Sequence, residues 1–503
     1  MLWTTRLAHT GQFAVEWPTG EEFMASGDVA RLARLLGGWD AAPGRLPQRL
    51  AQALADLILH GDLADGDRLP SERHLAEALS VSRGTVTGAY DLLRAADHVS
   101  SRVGAGSVVT ARRAHSAQGD ARLSSFRSRE YGRIDLSSGA PGGLVDLVME
   151  HTRAVVDGPE LPGAMAGDGY EPHGVAPLRE ALRRHYEDLG VPTRADQLLV
   201  TNGSQQALTL IAGALVSRSD TVLVEDPTYR GAIEAFRRRG ARIVPVPTGP
   251  AGPDVRLLER LLRQLAPRML YLLPVAHNPT GSIVSEAGAR RVAELVRGTG
   301  TILVEDRSPA DLLIRDDAPP APIGSRMGSG AWITIGSASK VFWGGLRTGW
   351  IRADQATVQA LSRARVNSDL GGSIIGQLVT ARCLADLSRA REARRAQLRA
   401  GLRTALDALH DHAPEWSWAE PLGGSALWVR LPGTDTTAFA RLAQRRNISV
   451  VPGPVFSAVG GFTDHLRLPF WQPASDVADG IARLADLWRR SGSETSNGHR
   501  ARP

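Results

Sequence analysis

The 503-residue sequence predicts an α/β protein in two parts: a small winged helix-turn-helix unit and a larger domain built on a mainly parallel sheet. Three observations predict it. From Ile134 to about Arg490, short apolar runs alternate with longer stretches of helical periodicity, the pattern of a parallel sheet covered by helices. Residues 112–133 are polar, rich in Ser and Arg, and lack apolar periodicity, which reads as a linker. Within 45–111, two short helical patterns flank a tight turn and lead into a Gly-rich tip.

Composition narrows the function class. A hydrophobic fraction of 43% and a charged fraction of 22% are those of a globular protein. The single Cys, Cys383, excludes an intrachain disulfide and fits a reducing cytoplasm. No unbroken apolar run is long enough to span a bilayer, and the stretch carrying Trp3, Arg6 and Glu16 lacks a signal-peptide core. The expectation is a cytoplasmic protein with no membrane partner and no metal. A net charge of +6 permits a polyanionic partner without arguing for one.

Residues 1–44 read as an extension, with Val29, Leu32, Leu35 and Leu36 as a short packing patch. Leu69-Pro70-Ser71-Glu72-Arg73 opens a helix capped by Ser71 and continued by His74, Leu75, Ala76, Ala78 and Leu79. Ser82 offers a second cap, and the helix Arg83–Ala95 carries Val86, Tyr90, Leu92 and Leu93 as its buried stripe. Its N-terminus presents Ser82, Arg83 and Thr85, residue types suited to phosphate and base edges. Val99–Val109 reads as two strands around Gly104 and Gly106, a wing. A helical protein–protein adaptor is the alternative.

This stretch resembles the GntR-type winged helix-turn-helix, whose marks are the Leu-Pro-Ser-Glu-Arg opening and a Val-Ser-Arg turn. The resemblance implies that Arg73, Arg83 and Thr85 touch double-stranded DNA and that Gly104 and Gly106 bring the wing to the minor groove. Acids roughly cancel Arg over the module. Asp56, Asp62, Asp65 and Asp67 precede the reading helix, which leaves Arg73, Arg83 and Arg102 to share one face.

In the larger part, Leu198–Thr201, Thr221–Val224, Met269–Leu273, Thr301–Val304 and Trp332–Ile335 read as buried strands, with helices at Gln205–Val216 and Gly231–Arg239. The last residues, 491–503, read as a disordered tail. One lysine occurs in the whole chain, Lys340 in Ser337-Ala338-Ser339-Lys340. Arg supplies charge everywhere else but cannot act as a nucleophilic amine, so a lone Lys suggests Schiff-base chemistry.

Four segments accompany it. Gly203-Ser204-Gln205 lies between a strand and a helix, a place for a phosphate. His277-Asn278-Pro279-Thr280-Gly281 follows a strand, Asp306 ends another, and Arg347 lies shortly beyond Lys340. Alone, each has a plainer reading as a turn, a cap or a structural cation. Together they fit a pyridoxal phosphate site, with Asp306 offered to a pyridinium nitrogen.

In order and spacing these segments resemble the class I/II aminotransferases of fold type I, over Ile134 to about Arg490. The resemblance implies Lys340 as the amine bonded to pyridoxal 5'-phosphate, Asp306 at the ring nitrogen and Asn278 at the ring oxygen. It implies Tyr229 stacked on the ring and Ser204, Gln205, Ser337 and Arg347 on the phosphate. Tyr170 would reach the phosphate of the partner subunit in a homodimer. Arg467, in Asp464-His465-Leu466-Arg467-Leu468, would hold a ligand carboxylate, a buried structural Arg being the alternative. One departure stands out: Arg307-Ser308-Pro309 follows Asp306, where the family usually places a Tyr on the ring oxygen.

The fusion of the two parts resembles the MocR subfamily of GntR regulators. That implies a DNA-binding regulator that senses an amino compound or the cofactor itself, as a dimer on an operator with two half-sites. A working transaminase with an appended DNA-binding module is the rival, weakened by the missing Tyr.

Overall fold

The computed structural model of the protein describes residues 26–36, 39–41, 45–59, 63, 66–95, 98–102, 106–109, 133–328 and 330–497. The chain divides into an N-terminal and a C-terminal compact unit. Apart from Arg133, the linker expected at 112–133 lies outside the described residues.

The N-terminal unit contains α1 (Ser26–Leu35), α2 (Leu46–Leu59), α3 (Glu72–Leu79), α4 (Arg83–Ala95) and the antiparallel hairpin β1 (Val99–Arg102) and β2 (Gly106–Val109). The Ser71 hydroxyl accepts the His74 N–H at 3.3 Å and starts α3. The chain then turns through Ser80, at φ +54°, into a second cap where Ser82 accepts the Thr85 N–H at 3.1 Å. These caps confirm the two helix starts and the turn between them. Leu50, Leu54, Leu75, Val86, Tyr90 and Leu93 form the core. Leu32, Leu36 and Trp39 join it, so part of the stretch read as an extension belongs to this core. Leu92 does not: it is 42% exposed, because the buried stripe runs through Val86, Ala89, Tyr90 and Leu93.

The C-terminal unit holds two sheets. The five-stranded sheet begins with β3 (Ile134–Leu136). The eight-stranded sheet takes β4 (Leu198–Thr201), β5 (Thr221–Asp226), β6 (Arg242–Gly249), β7 (Gly252–Pro253), β8 (Met269–Leu272), β9 (Ile302–Asp306), β10 (Trp332–Ser337) and β11 (Gly349–Arg352). Its order is β4-β11-β10-β9-β8-β5-β6-β7, with parallel pairing from β10 through β6. Strand β11 runs antiparallel to both neighbours, as the return arm of the 338–348 loop that carries Lys340 and Arg347. The apolar runs read from the sequence do not include β11, whose residues Gly349-Trp350-Ile351-Arg352 are all buried although one of them is charged.

The remaining strands are β12 (Ser417–Trp418), β13 (Ala426–Arg430), β14 (Ile448–Pro452) and β15 (His465–Pro469). They pair in the order β12-β13-β15-β14-β3, antiparallel except that β3 lies parallel to β14. The final helix, Ala474–Asn497, passes through 491–497, where composition alone suggested a disordered tail.

Candidate functional site

The C-terminal ends of β5, β8, β9 and β10, with the loops that follow them, bring the expected side chains together. At the end of β4, Gly203 adopts φ +87° and opens the Ser204–Leu215 helix, α5. The Arg347 side chain lies beside this helix start and donates to the Asn202 carbonyl at 2.6 Å. A Cβ on Gly203 would lie 3.0 Å from the Arg347 guanidinium. Gln205 accepts the Tyr229 phenol at 2.9 Å, which ties the expected ring-stacking residue to the same helix. Ser337 is buried, and its hydroxyl serves the Ser339 N–H and the Thr348 carbonyl, so it shapes the loop on both sides of Lys340.

Lys340 is partly buried and donates from Nζ to the Gly139 carbonyl at 3.1 Å. Burial pulls its amine down to about 8; the nearby Arg467 charge adds to this and Asp306 opposes it. Asp306, at the end of β9, is 4% exposed. Its Oδ1 accepts the Ser308 N–H at 2.9 Å and its Oδ2 accepts the Tyr271 phenol at 2.8 Å. Burial raises this carboxyl above its ordinary value, while those donors and Lys340 work the other way.

Arg467 on β15 is buried. It donates to the Ser137 carbonyl and, at 3.4 Å, to Asn278 Oδ1. Its Nε is buried without a hydrogen-bond partner among the described residues. Tyr170 lies in the loop after Met165 and is 62% exposed.

Sequence reasoning missed several contributors. Ser137, Ser138 and Gly139 present a row of carbonyls that accept from Arg467, Trp471, Lys340 and Ser425. Buried Arg394 donates to the carbonyls of Val341, Phe342 and Gly142 and fastens the loop after Lys340. Glu225 and His277 meet at 3.5 Å behind the Asn278 turn, where burial raises the carboxyl and lowers the imidazole, favouring an uncharged pair. Backbone carbonyls leave no mark in a sequence, and Arg394 sits among many other Arg residues.

In the N-terminal unit, Ser82 and Arg83 are exposed at the start of α4, with Arg83 paired to Glu72 at 3.3 Å. Arg73 is exposed, 3.9 Å from Glu77. Thr85 is a correction to the sequence reading: it is buried, and its hydroxyl bonds Ser82 at 2.9 Å, so it fixes the turn and does not present itself to a partner. Gly106 adopts φ +77° at the tip end of the wing, opposite Arg102. Gly104 and the Arg102 side chain lie outside the described residues. Among the described residues, no helix is long and apolar enough to cross a membrane, and no group of His, Cys, Asp or Glu is placed to hold a metal.

A mainly parallel sheet with a lone amine, a buried carboxylate and an anion cradle at its C-terminal edge defines an aminotransferase-like domain of fold type I. The model of the class I and II aminotransferases matches residues 133–484, and that of the gntR family of bacterial regulatory proteins matches 46–109. The chain belongs to the class I and II aminotransferase family and is a GntR-family regulator with that domain fused to it. It is 27% identical to the HTH-type transcriptional regulator YisV of Bacillus subtilis, over 88% of this chain and 96% of that one. It is 29% identical to a probable rhizopine catabolism regulatory protein, MocR, of Rhizobium meliloti, over 66% of this chain and 70% of that protein. LysN, an α-aminoadipate aminotransferase from Thermus thermophilus solved with N-(5'-phosphopyridoxyl)-L-leucine, superposes with a TM-score of 0.67 and 31% identity. That match covers 74% of this chain and 97% of LysN.

Proposed function

We propose that the protein is a cytoplasmic transcription regulator that binds pyridoxal 5'-phosphate at Lys340 and answers a small ligand carrying an amine and a carboxylate. The residues present fit the cofactor. Gly203 leaves open a space that a Cβ would fill, beside Arg347 and the N-terminus of α5. Asp306 is a buried carboxylate for which a ring N–H would be a partner. Lys340, Asn278, Tyr229, Ser204, Gln205, Ser337 and Arg347 would hold the group. When bound, it supplies an aldehyde carbon that amines capture reversibly, conjugated to an electron-withdrawing ring.

One observation carries the regulatory reading. Arg467 and Lys340 rest on the backbone carbonyls of Ser137 and Gly139, in the segment that follows β3. Residue 133, just before β3, ends the stretch expected to link the two units. A ligand carboxylate at Arg467 competes with the Ser137 carbonyl, because a charged acceptor outbids a neutral one for a guanidinium. Occupancy is thereby coupled to the one segment covalently continuous with the DNA-binding unit. Exposed Tyr170 is available to a second subunit, and a dimer would read two half-sites about 10 bp or a multiple of that apart.

Footprinting of the protein on DNA flanking its own gene, with two variants, tests this. Arg83→Ala should lose protection and keep the cofactor absorbance; Lys340→Ala should lose the absorbance and borohydride fixation while staying folded. No protected site with the wild-type protein, with or without pyridoxal 5'-phosphate, would contradict the regulator. Steady keto-acid production over many turnovers would favour the transaminase, for which the intact Lys340, Asp306 and Arg467 speak.

A further inference from the structure

Resting on the cofactor reading above, we propose that Tyr271 is a positioning residue, whose phenol orients the Asp306 carboxylate toward the cofactor's ring nitrogen. Tyr271 lies mid-strand in β8, and in the sequence it is merely the aromatic of an apolar run. The parallel register of β8 and β9 sets Tyr271 opposite Val304. Side chains alternate faces along a strand, so Asp306, two residues beyond Val304, shares the Tyr271 face. There the phenol donates to Asp306 Oδ2 at 2.8 Å.

Neither group has freedom to drift. Tyr271 is fully buried, and Phe236 meets its ring edge-on with centroids 6.0 Å apart. Oδ1 of Asp306 accepts the Ser308 N–H at 2.9 Å, which fixes the other end of the carboxylate. A carboxylate has about four acceptor sites, so two donors orient it and still leave room for a third. Donation from the phenol also favours the ionised form, the one that attracts a ring N–H, against the effect of burial. The residues after Asp306 supply no aromatic hydroxyl, since Arg307, Ser308 and Pro309 follow it.

Tyr271→Phe keeps the ring and its packing and removes only the donor. Apo-protein would be titrated with pyridoxal phosphate and with its carbocyclic analogue, in which CH replaces the ring nitrogen, by quenching of Trp fluorescence. We expect affinity for pyridoxal phosphate to fall about tenfold, since a hydrogen bond to a charged group is lost, and affinity for the analogue to fall less than twofold. Equal losses for both compounds would mean that Tyr271 only props up the fold, and no loss for either would mean that Asp306 needs no such support; both overturn the inference. On an Asp306→Ala background, Tyr271→Phe should change pyridoxal phosphate affinity less than twofold, and an undiminished loss there would also overturn it. Wild-type protein that binds neither compound would overturn the cofactor reading itself, and this inference with it.

Discussion

Two helix N-termini in this chain offer the same elementary device under opposite conditions. At α4, Ser82, Arg83 and Gly84 stand in solvent, and the Arg83 side chain is 73% exposed beside Glu72. At α5, buried Gly203 adopts φ +87°, and the Arg347 side chain, itself exposed, donates to the Asn202 carbonyl at 2.6 Å. Each terminus presents the positive end of a helix dipole to an anion. In solvent the attraction is long-ranged, screened by salt and tolerant of small displacements, which suits reversible contact with a polymer of phosphates. In the cleft it depends on close backbone approach, which suits a small anion held in one pose.

Changes in chemistry should therefore separate the two sites. The largest separation is expected from pH. The Lys340 amine, held down at about 8 chiefly by burial and then by Arg467, is mostly protonated at pH 6 and mostly neutral at pH 9. Only the neutral amine attacks an aldehyde, so the neutral fraction and the rate rise together as pH climbs. The rate of pyridoxal phosphate uptake by apo-protein should rise about a hundredfold from pH 6 to a plateau near pH 9. DNA contact at α4 uses no neutral amine as a nucleophile, so DNA association should stay flat over the same range. Stopped-flow absorbance checks the first, and a flat uptake profile would mean that the amine is not the titrating nucleophile.

Next comes the glycine at each terminus. Gly203→Ala would strain a left-handed backbone and set a Cβ 3.0 Å from the Arg347 guanidinium. Free protein relaxes this strain of about 1–3 kcal/mol by shifting the cradle and must restore it on binding, so pyridoxal phosphate affinity should fall roughly five- to 150-fold in equilibrium titration. Gly84→Ala meets nothing nearer than the Ser82 hydroxyl at 3.8 Å, and DNA affinity should change less than twofold. Similar effects at the two glycines would erase the distinction between the termini.

How much of this was legible in the sequence follows from what each feature is made of. Ser71 and Ser82 announce α3 and α4 because caps are local, and Arg83–Ala95 matches the observed helix. The strands at 198–201, 221–226 and 332–337 were visible as apolar runs, and Lys340 stood out because no other Lys exists. Pairing was not visible. The antiparallel return of β11 and the β8–β9 register that puts Tyr271 on Asp306 are set by long-range contacts. Leu92 departs from the expected stripe because, on a short helix, one position decides which side faces the core and periodicity alone does not fix the phase.

The smallest effect sharpens the exposed site. The Ser82 hydroxyl accepts the Thr85 N–H at 3.1 Å and bonds the Thr85 hydroxyl at 2.9 Å, so it closes the first turn of α4 from within. Ser82→Ala removes that cap and should destabilise the N-terminal unit by about 1 kcal/mol in thermal or urea unfolding. The Thr85 N–H keeps the Ser82 carbonyl at 3.0 Å, which offsets part of the loss. Operator affinity should then fall less than threefold, and the slope of log affinity against log salt should stay as in wild type, because no charge has been removed. Arg83→Ala, by contrast, should lower that slope by about 1. A change of slope in the Ser82 variant would show that the cap also orders the charged contacts around it, and the α4 terminus would then share the geometric strictness of α5.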